Sequence, residues 1–303
     1  MSPGLLYEVM KRWSLFSLLT LIFAILAGCA TLDEKQRDWI FRPSDRSWGT
    51  SAELARSMQN VWINFSSHST GRDVKLHGLW LPADGRKLAW NGAKPPLLLY
   101  LHGAGWNVES SAKRMQHMQQ LGFSVLAIDY RGFGKSSPGQ PSETMAYEDV
   151  RAAWDWLGAQ HPGEPRYIFG HSLGGAMAIE LASKVDNEAG TIVEGTFTSI
   201  ADVLATMKWG WLPLSPLLTQ HFQSVDKVSH LGAPLLVVHG ANDSLIRPEL
   251  GRKLYEAARG PKAFVLVEGG SHHNTNDLGQ AQYHVALANL FGTATHRPLA
   301  ANP

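Results

Sequence analysis

From residue 61 onward, short unbroken apolar runs alternate with stretches in which apolar residues recur every three or four positions. The runs predict strands at Val61–Phe65, Lys75–Leu81, Leu97–Leu101, Ser124–Ile128, Tyr167–Phe169, Thr191–Glu194, Leu235–Val238 and Phe264–Val267. The periodic stretches predict helices at Ser110–Leu121, Glu143–Gln160, Gly175–Val185, Pro248–Ala258 and Leu278–Phe291. Apolar strands of this kind suit burial on both faces. Their alternation with helices implies an α/β architecture, a mostly parallel eight-stranded sheet with helices on both sides. The first two strands have no helix between them and predict an antiparallel hairpin at the sheet edge. Residues 198–231 break the alternation with an apolar, aromatic insert containing Met207, Trp209, Trp211, Leu212, Leu217, Leu218, Phe222, Pro213 and Pro216. Such an insert predicts either a short lid over a site or helices packed on the sheet.

The N-terminal pattern is different. Lys11-Arg12 precede an apolar run, Trp13 to Leu26, of signal-peptide length and short of the ~20 residues that span a bilayer as a helix. The run ends in Leu26-Ala27-Gly28-Cys29, which resembles the lipobox of bacterial lipoproteins. Residues 1–28 are thus expected to be a lipoprotein signal and Cys29 the lipidated first residue of the mature chain; an uncleaved membrane anchor is the alternative. Met10 is a second possible start, and Ala30 in place of Asp favours the outer membrane if the source has two membranes. Residues 29–60 are polar with scattered aromatics, including Trp39, Phe41 and Trp48, and are expected to form a tether and domain edge. The globular domain is expected over 61–295.

Composition narrows the function. The chain of 303 residues has 27 Lys plus Arg against 26 Asp plus Glu, so it has no basic field for nucleic acid. Its single cysteine, Cys29, cannot form an internal disulfide, which favours lipid attachment over redox chemistry.

The candidate chemistry lies in Gly170-His171-Ser172-Leu173-Gly174, between the run Tyr167-Ile168-Phe169 and the helical pattern starting at Gly175-Ala176. Strand, tight turn and helix around G-x-S-x-G make a nucleophile elbow, and a side chain at 170 or 174 would collide with neighbouring backbone. A serine hydroxyl needs a base to take its proton and an acid to orient that base. Asp243 follows the strand Leu235–Val238, and His272-His273 follow Phe264–Val267, which is the order Ser, Asp, His. Glu194 and Asp202 are weaker candidates for the acid, and residue types alone do not separate His272 from His273. His102, His171 and His239 lie beside glycines in turns and are expected to be supporting residues. The loop Leu101-His102-Gly103-Ala104-Gly105-Trp106 is expected to supply an oxyanion hole from the amides of Ala104 and Leu173.

These stretches resemble the α/β-hydrolases, and within them the Bem46-like and ABHD13-like serine hydrolases, also grouped with prolyl-aminopeptidase-like proteins. The resemblance is carried by His102 to Gly105, Asp129 to Ser136, Gly170 to Gly175, Glu194 to Ser199, His239 to Asp243 and Gly269 to Asn274. It spans roughly Asp38 to Phe291 and implies a triad of Ser172, Asp243 and His272. The expected function is hydrolysis of a small or lipid-like ester or thioester through an acyl-enzyme, with no metal or organic cofactor. A serine peptidase, or a catalytically silent envelope binding protein, is the alternative. Trp106, Trp209, Trp211 and Leu212 are candidates for an apolar acyl pocket or for core.

Overall fold

A computed structural model describes residues 3–44, 50–84, 94–208, 210–213 and 215–292. Eight strands, β1 (Gln59–Ser66), β2 (Asp73–Leu81), β3 (Leu97–Leu101), β4 (Ser124–Ile128), β5 (Arg166–His171), β6 (Gly190–Glu194), β7 (Leu235–Gly240) and β8 (Lys262–Val267), form one sheet. Their order is β1-β2-β4-β3-β5-β6-β7-β8. β2 is antiparallel to β1 and to β4, and the remaining pairs are parallel. The early hairpin therefore occupies the edge its missing crossover implied. The helices are α1 (Pro3–Phe41), α2 (Thr50–Arg56), α3 (Ala112–Gln120), α4 (Glu143–Gln160), α5 (Leu173–Ala182), α6 (Ile200–Ala205), α7 (Ser224–Lys227), α8 (Pro248–Ala257), α9 (Thr275–Leu278) and α10 (Gln280–Phe291).

Strand alternation divides the core in two. Leu97, Leu99 and Leu101 of β3 join Trp154 of α4, Met177 of α5 and Leu254 of α8 on one face. Leu98 and Tyr100 join Met58, Met115 of α3 and Tyr283 of α10 on the other. Both faces of the central strands are covered, which is why these strands read as continuous apolar runs. Even-numbered positions of β6 follow the same rule: Ile192 lies on the α3 and α10 side, and Glu194, two residues on, meets groups from both of those helices.

Three local differences from the sequence pattern have physical causes. The helix expected over 110–121 opens as a tight 3₁₀ turn, Val108–Ser111, where Asn107 accepts the Ser110 amide at its start. The helix expected over 278–291 starts later, as α10, because Gly279 at φ −86° and ψ 6° leaves helical geometry and separates it from the single turn α9. The helix expected from Gly175 begins earlier, at Leu173, immediately after the elbow.

The segment after Cys29 is helical to Phe41 and lies against the sheet domain. Ile40 and Phe41 are buried in the α4 and α5 core, while Ala55 and Met58 enter the opposite one. The Phe41 ring lies 6.5 Å from Phe133 and 5.8 Å from Phe222 of the insert, and its carbonyl accepts the Gly105 amide at 2.9 Å. Polar contacts fix the rest of the segment. Gln36 bonds the Leu217 carbonyl and the Thr219 amide, Gln220 bonds Asp33, and Gln140 bonds Asp38. No described helix is long and apolar enough to cross a membrane. Among its described residues the insert has α6, a 3₁₀ turn at Ser215–Leu217, α7 and a second 3₁₀ turn at Val228–His230; Trp209 lies outside the described residues.

Because Phe41 is fully buried against the rings of Phe133 and Phe222, Phe41→Ala is expected to destabilise the fold by about 3–5 kcal/mol. The midpoint of urea unfolding, compared with the wild type, measures this; an unchanged midpoint would mean that the segment is not docked.

Candidate active site

β5 delivers Ser172 to the carboxyl edge of the sheet. There its backbone takes φ 55° and ψ −120°, an unfavourable conformation for a residue with a side chain that typically costs ~1–3 kcal/mol. Close packing holds it. A β-carbon on Gly170 would strike the Gly174 carbonyl, and one on Gly174 would strike the Leu101 carbonyl of β3. The Ser172 amide donates to the Glu194 carbonyl at 2.9 Å, tying the elbow to β6 as well.

The loop after β8 brings His272 over this serine. Ser172 Oγ donates to His272 Nε2 at 3.0 Å, and His272 Nδ1 donates to Asp243 Oδ2 at 2.8 Å. The other Asp243 oxygen accepts the Leu245 and Ile246 amides at 3.0 and 2.8 Å. Burial pushes the Asp243 carboxyl upward, but the nearby His239 and His272 and the Ile246 amide outweigh it and hold the group well below the usual carboxylate range. An imidazole between a hydroxyl and a fixed carboxylate can take the hydroxyl proton while its cationic form is stabilised. His273 is exposed, its ring stacked edge-on against His272, and no contact joins it to Ser172.

Facing the serine is the loop after β3. Gly103 approaches so closely that a β-carbon would lie 3.1 Å from Ser172 Cβ, bringing the Ala104 backbone to the nucleophile. Leu173 is the first residue of α5, where amides lack intrahelical acceptors. These are the two main-chain donors expected for an oxyanion. The loop is held from behind: Asp129 accepts the Val108 amide at 2.6 Å, and Tyr130 donates to the His102 carbonyl at 2.9 Å. Arg131 locks the following turn through Asp149 and Glu148, each at 2.6 Å, so the Asp129 to Ser136 motif serves as support.

Comparison with known proteins identifies the family. The family described as serine aminopeptidase, S33, matches residues 93–225. An uncharacterized protein of Mycobacterium tuberculosis is 36% identical over 268 residues, 88% of this chain and 90% of that one. The chain belongs to the α/β-hydrolases and is a serine hydrolase. The lysophosphatidylserine lipase ABHD12 of Xenopus tropicalis is 32% identical over 203 residues, covering 59% of this chain and 52% of that protein, so the chain spans about half its length. The esterase Pf2001 of Pyrococcus furiosus has the same fold, with a TM-score of 0.62 at 18% identity over 84% of this chain and 96% of that one.

Two arginines in this hydrolase had no sequence signal. Arg114 of α3 donates to the carbonyl of His273 at 2.9 Å and lies 3.4 Å from that of His272, while His171 donates to the His272 carbonyl at 3.0 Å. Its charge is met by Glu194 at 3.4 Å, whose other oxygen accepts the Tyr283 hydroxyl at 2.5 Å. Glu194 thus anchors the clamp on the histidine loop and makes no contact with the His272 ring, and Asp202 is bonded to Thr198 within the insert. The second is Arg42, which follows α1 and reaches the site through tertiary folding alone. The other histidines are placed as supports. His239 donates to the Ile246 carbonyl at 2.9 Å. Burial, Arg114 and His272 press His171 well below the ordinary histidine range, and burial lowers His102 although Asp129 opposes it.

The hydrolase site opens into a cavity of about 840 Å³, lined by Ser172, His272, His273, Tyr100, Trp106, Leu245, Ser110, Ser111, Arg114, Arg42 and Ser44 among others. Neither Asp nor Glu is among its described lining residues. Of the apolar residues expected at an acyl pocket, Trp106 lines the cavity; Trp211 and Leu212 do not, and both are exposed.

His272→Ala is expected to lower kcat for an ester by on the order of 10⁵-fold or more, and His273→Ala by less than about tenfold. Steady-state turnover of a short-chain ester by the two variants decides this, and the reverse ranking would reassign the base. A second expectation concerns acid stability. With their folded pKa values depressed below ~6.5, His102 and His171 refuse protons that the unfolded chain accepts. Their stabilisation is complete above about pH 6.5 and is lost as the pH falls, each group contributing up to ~1.4 kcal/mol per pH unit until its folded pKa is reached. Ring resonances of His102 and His171 followed by NMR from about pH 7.5 downward should titrate below the ordinary histidine range; titration of both at about pH 6.5 would contradict neutral burial of these rings.

Proposed function

We propose that this serine hydrolase cleaves the carboxylic ester or thioester bond of a lipid-like substrate through an acyl-enzyme. Ser172 Oγ attacks the acyl carbon and its proton passes to His272 Nε2, while Asp243 keeps the imidazole oriented and offsets its charge. The Ala104 and Leu173 amides receive the developing oxyanion, an interaction typically worth ~3–4 kcal/mol per donor. Collapse breaks the bond to the leaving alcohol or thiol, which takes the proton from His272. Water, deprotonated by the same nitrogen, then releases the acid.

The observation that carries this reading is the Ser172–His272–Asp243 hydrogen-bonded line opening into a cavity large enough for a drug-sized ligand. Trp106 and Leu245 give that cavity apolar surface, and Arg42 favours an ester bearing a negative charge. The similarity to lysophosphatidylserine lipases supports the same choice. The sequence around Cys29, together with the exposure of that residue, supports lipid attachment and a location outside the cytoplasm. A peptidase is the second reading, favoured by the description of the matching family.

A fluorophosphonate probe is expected to label the wild type and not Ser172→Ala, with ester turnover in that variant reduced on the order of 10⁶-fold. Across esters of graded chain length and the matching amides, esters are expected to be cleaved at least ~100-fold faster. Faster cleavage of aminoacyl amides selects the peptidase, and absence of labelling in folded protein removes the enzymatic reading.

A further inference from the structure

Exposed apolar side chains gather around the junction of α1 and the insert. Leu32, Gln36 and Trp39 are spaced i, i+4 and i+7, so they share one face of α1. Gln36 donates to the Leu217 carbonyl at 2.7 Å, which places the insert against that face. Trp39 is 46% exposed and Leu217 55%, and the same insert carries Trp211 at 74%. From Val203 to Gln223 the only charged residue is Lys208. The acidic Glu34 and Asp38 of α1 lie away from Leu32 and Trp39, where Gln140 bonds the Glu34 carbonyl and the Asp38 carboxylate. Large apolar groups left in water together, with the long exposed side chain of Lys35 three residues after Leu32 and four before Trp39 as the charge beside them on α1, call for an apolar partner with a polar boundary.

Three observations identify that partner as a bilayer surface. The face includes the exposed Cys29, three residues before Leu32 and seven before Gln36, which is the residue proposed to carry the lipid. Its exposed members include indoles, which favour the lipid–water boundary. The third is the position of the cavity mouth: the Phe41 carbonyl, two residues beyond Trp39, holds Gly105, whose neighbour Trp106 is 46% exposed at the cavity wall.

We infer that Leu32, Trp39, Trp211 and Leu217 form a collar that seats in the lipid surface and turns the mouth of the active-site cavity toward it. The inference rests on the proposed membrane attachment and adds an orientation to it. A lipid-like ester then enters the cavity from the bilayer without crossing water, while the entry ends of β5 to β8, on the opposite edge of the sheet, face away.

The test uses the mature chain lipidated at Cys29 and bound to vesicles of phosphatidylethanolamine and phosphatidylglycerol, with a photo-crosslinking benzophenone side chain introduced in place of Leu217 or of Arg259, which is exposed ahead of β8. Irradiation is expected to give lipid adducts at 217 and none at 259. Trp39→Ser/Trp211→Ser/Leu217→Ser is expected to lose roughly fivefold or more in turnover of an ester presented in these vesicles, with turnover of a soluble short-chain ester unchanged. Chains that float with the vesicles yet crosslink equally or not at all at 217 overturn the collar and leave membrane attachment standing. Chains that do not float overturn both. A triple variant that keeps full turnover on vesicles also overturns the collar, and fluorophosphonate labelling of the same samples reports separately on the hydrolase reading.

Discussion

Backbone packed against backbone is the constraint on which this structure turns. Ser172 holds a left-handed φ because Gly170 and Gly174 let the elbow close against α5 and the Leu101 carbonyl of β3, while Gly103 brings the opposing loop within contact of the serine. A side chain at any of these positions would separate the nucleophile from the amides that face it. The local strain is repaid by the parallel sheet, whose five central strands β3 to β7 are almost wholly buried and do not yield.

The base is positioned by a different kind of interaction. His272 sits in a short loop between β8 and α9, and that loop is gripped at its carbonyls by Arg114 and His171. Arg114 resides below the site because Glu194 meets its charge, and Glu194 in turn takes the Tyr283 hydroxyl. Charged groups this deep are retained only when paired, so the clamp joins α3, β6 and α10 into one support beneath the reactive line. Asp129 does comparable work for the opposite loop, accepting the Val108 amide and lying beside His77 and His102. Each mobile-looking turn at the sheet's edge therefore has a buried polar anchor behind it.

The segment joining the N-terminal apolar run to the domain is part of this wall. Phe41 ties the loop that carries Ala104 to the insert through Phe222, and Arg42 comes directly after it in the cavity lining. Position in the chain thus connects the end that carries Cys29 to the mouth of the cavity over a short helical path. The insert contributes no described residue to the cavity lining; its Phe222, Ile200 and Val203 are buried in the core, whereas Trp211 and Leu217 are exposed.

The order of strands and helices, the edge hairpin, and the series of serine, aspartate and histidine were all legible along the chain, because apolar period, glycine and turn chemistry act over a few residues. Gly170, Gly174 and Ser172 announced their tight turn for the same reason. Nothing local marked Arg114, whose partners lie 80 and 158 or 159 residues away, or Arg42 and Phe41, which resemble any residues at the end of a polar helix. The choice between adjacent His272 and His273 likewise came from the path of one loop over Ser172, 100 residues distant from His272. Sequence by itself determined the elements and the chemical groups they carry. Which of those groups meet was decided by the tertiary structure, because the close packing and charge pairing that select them act only between segments already brought together.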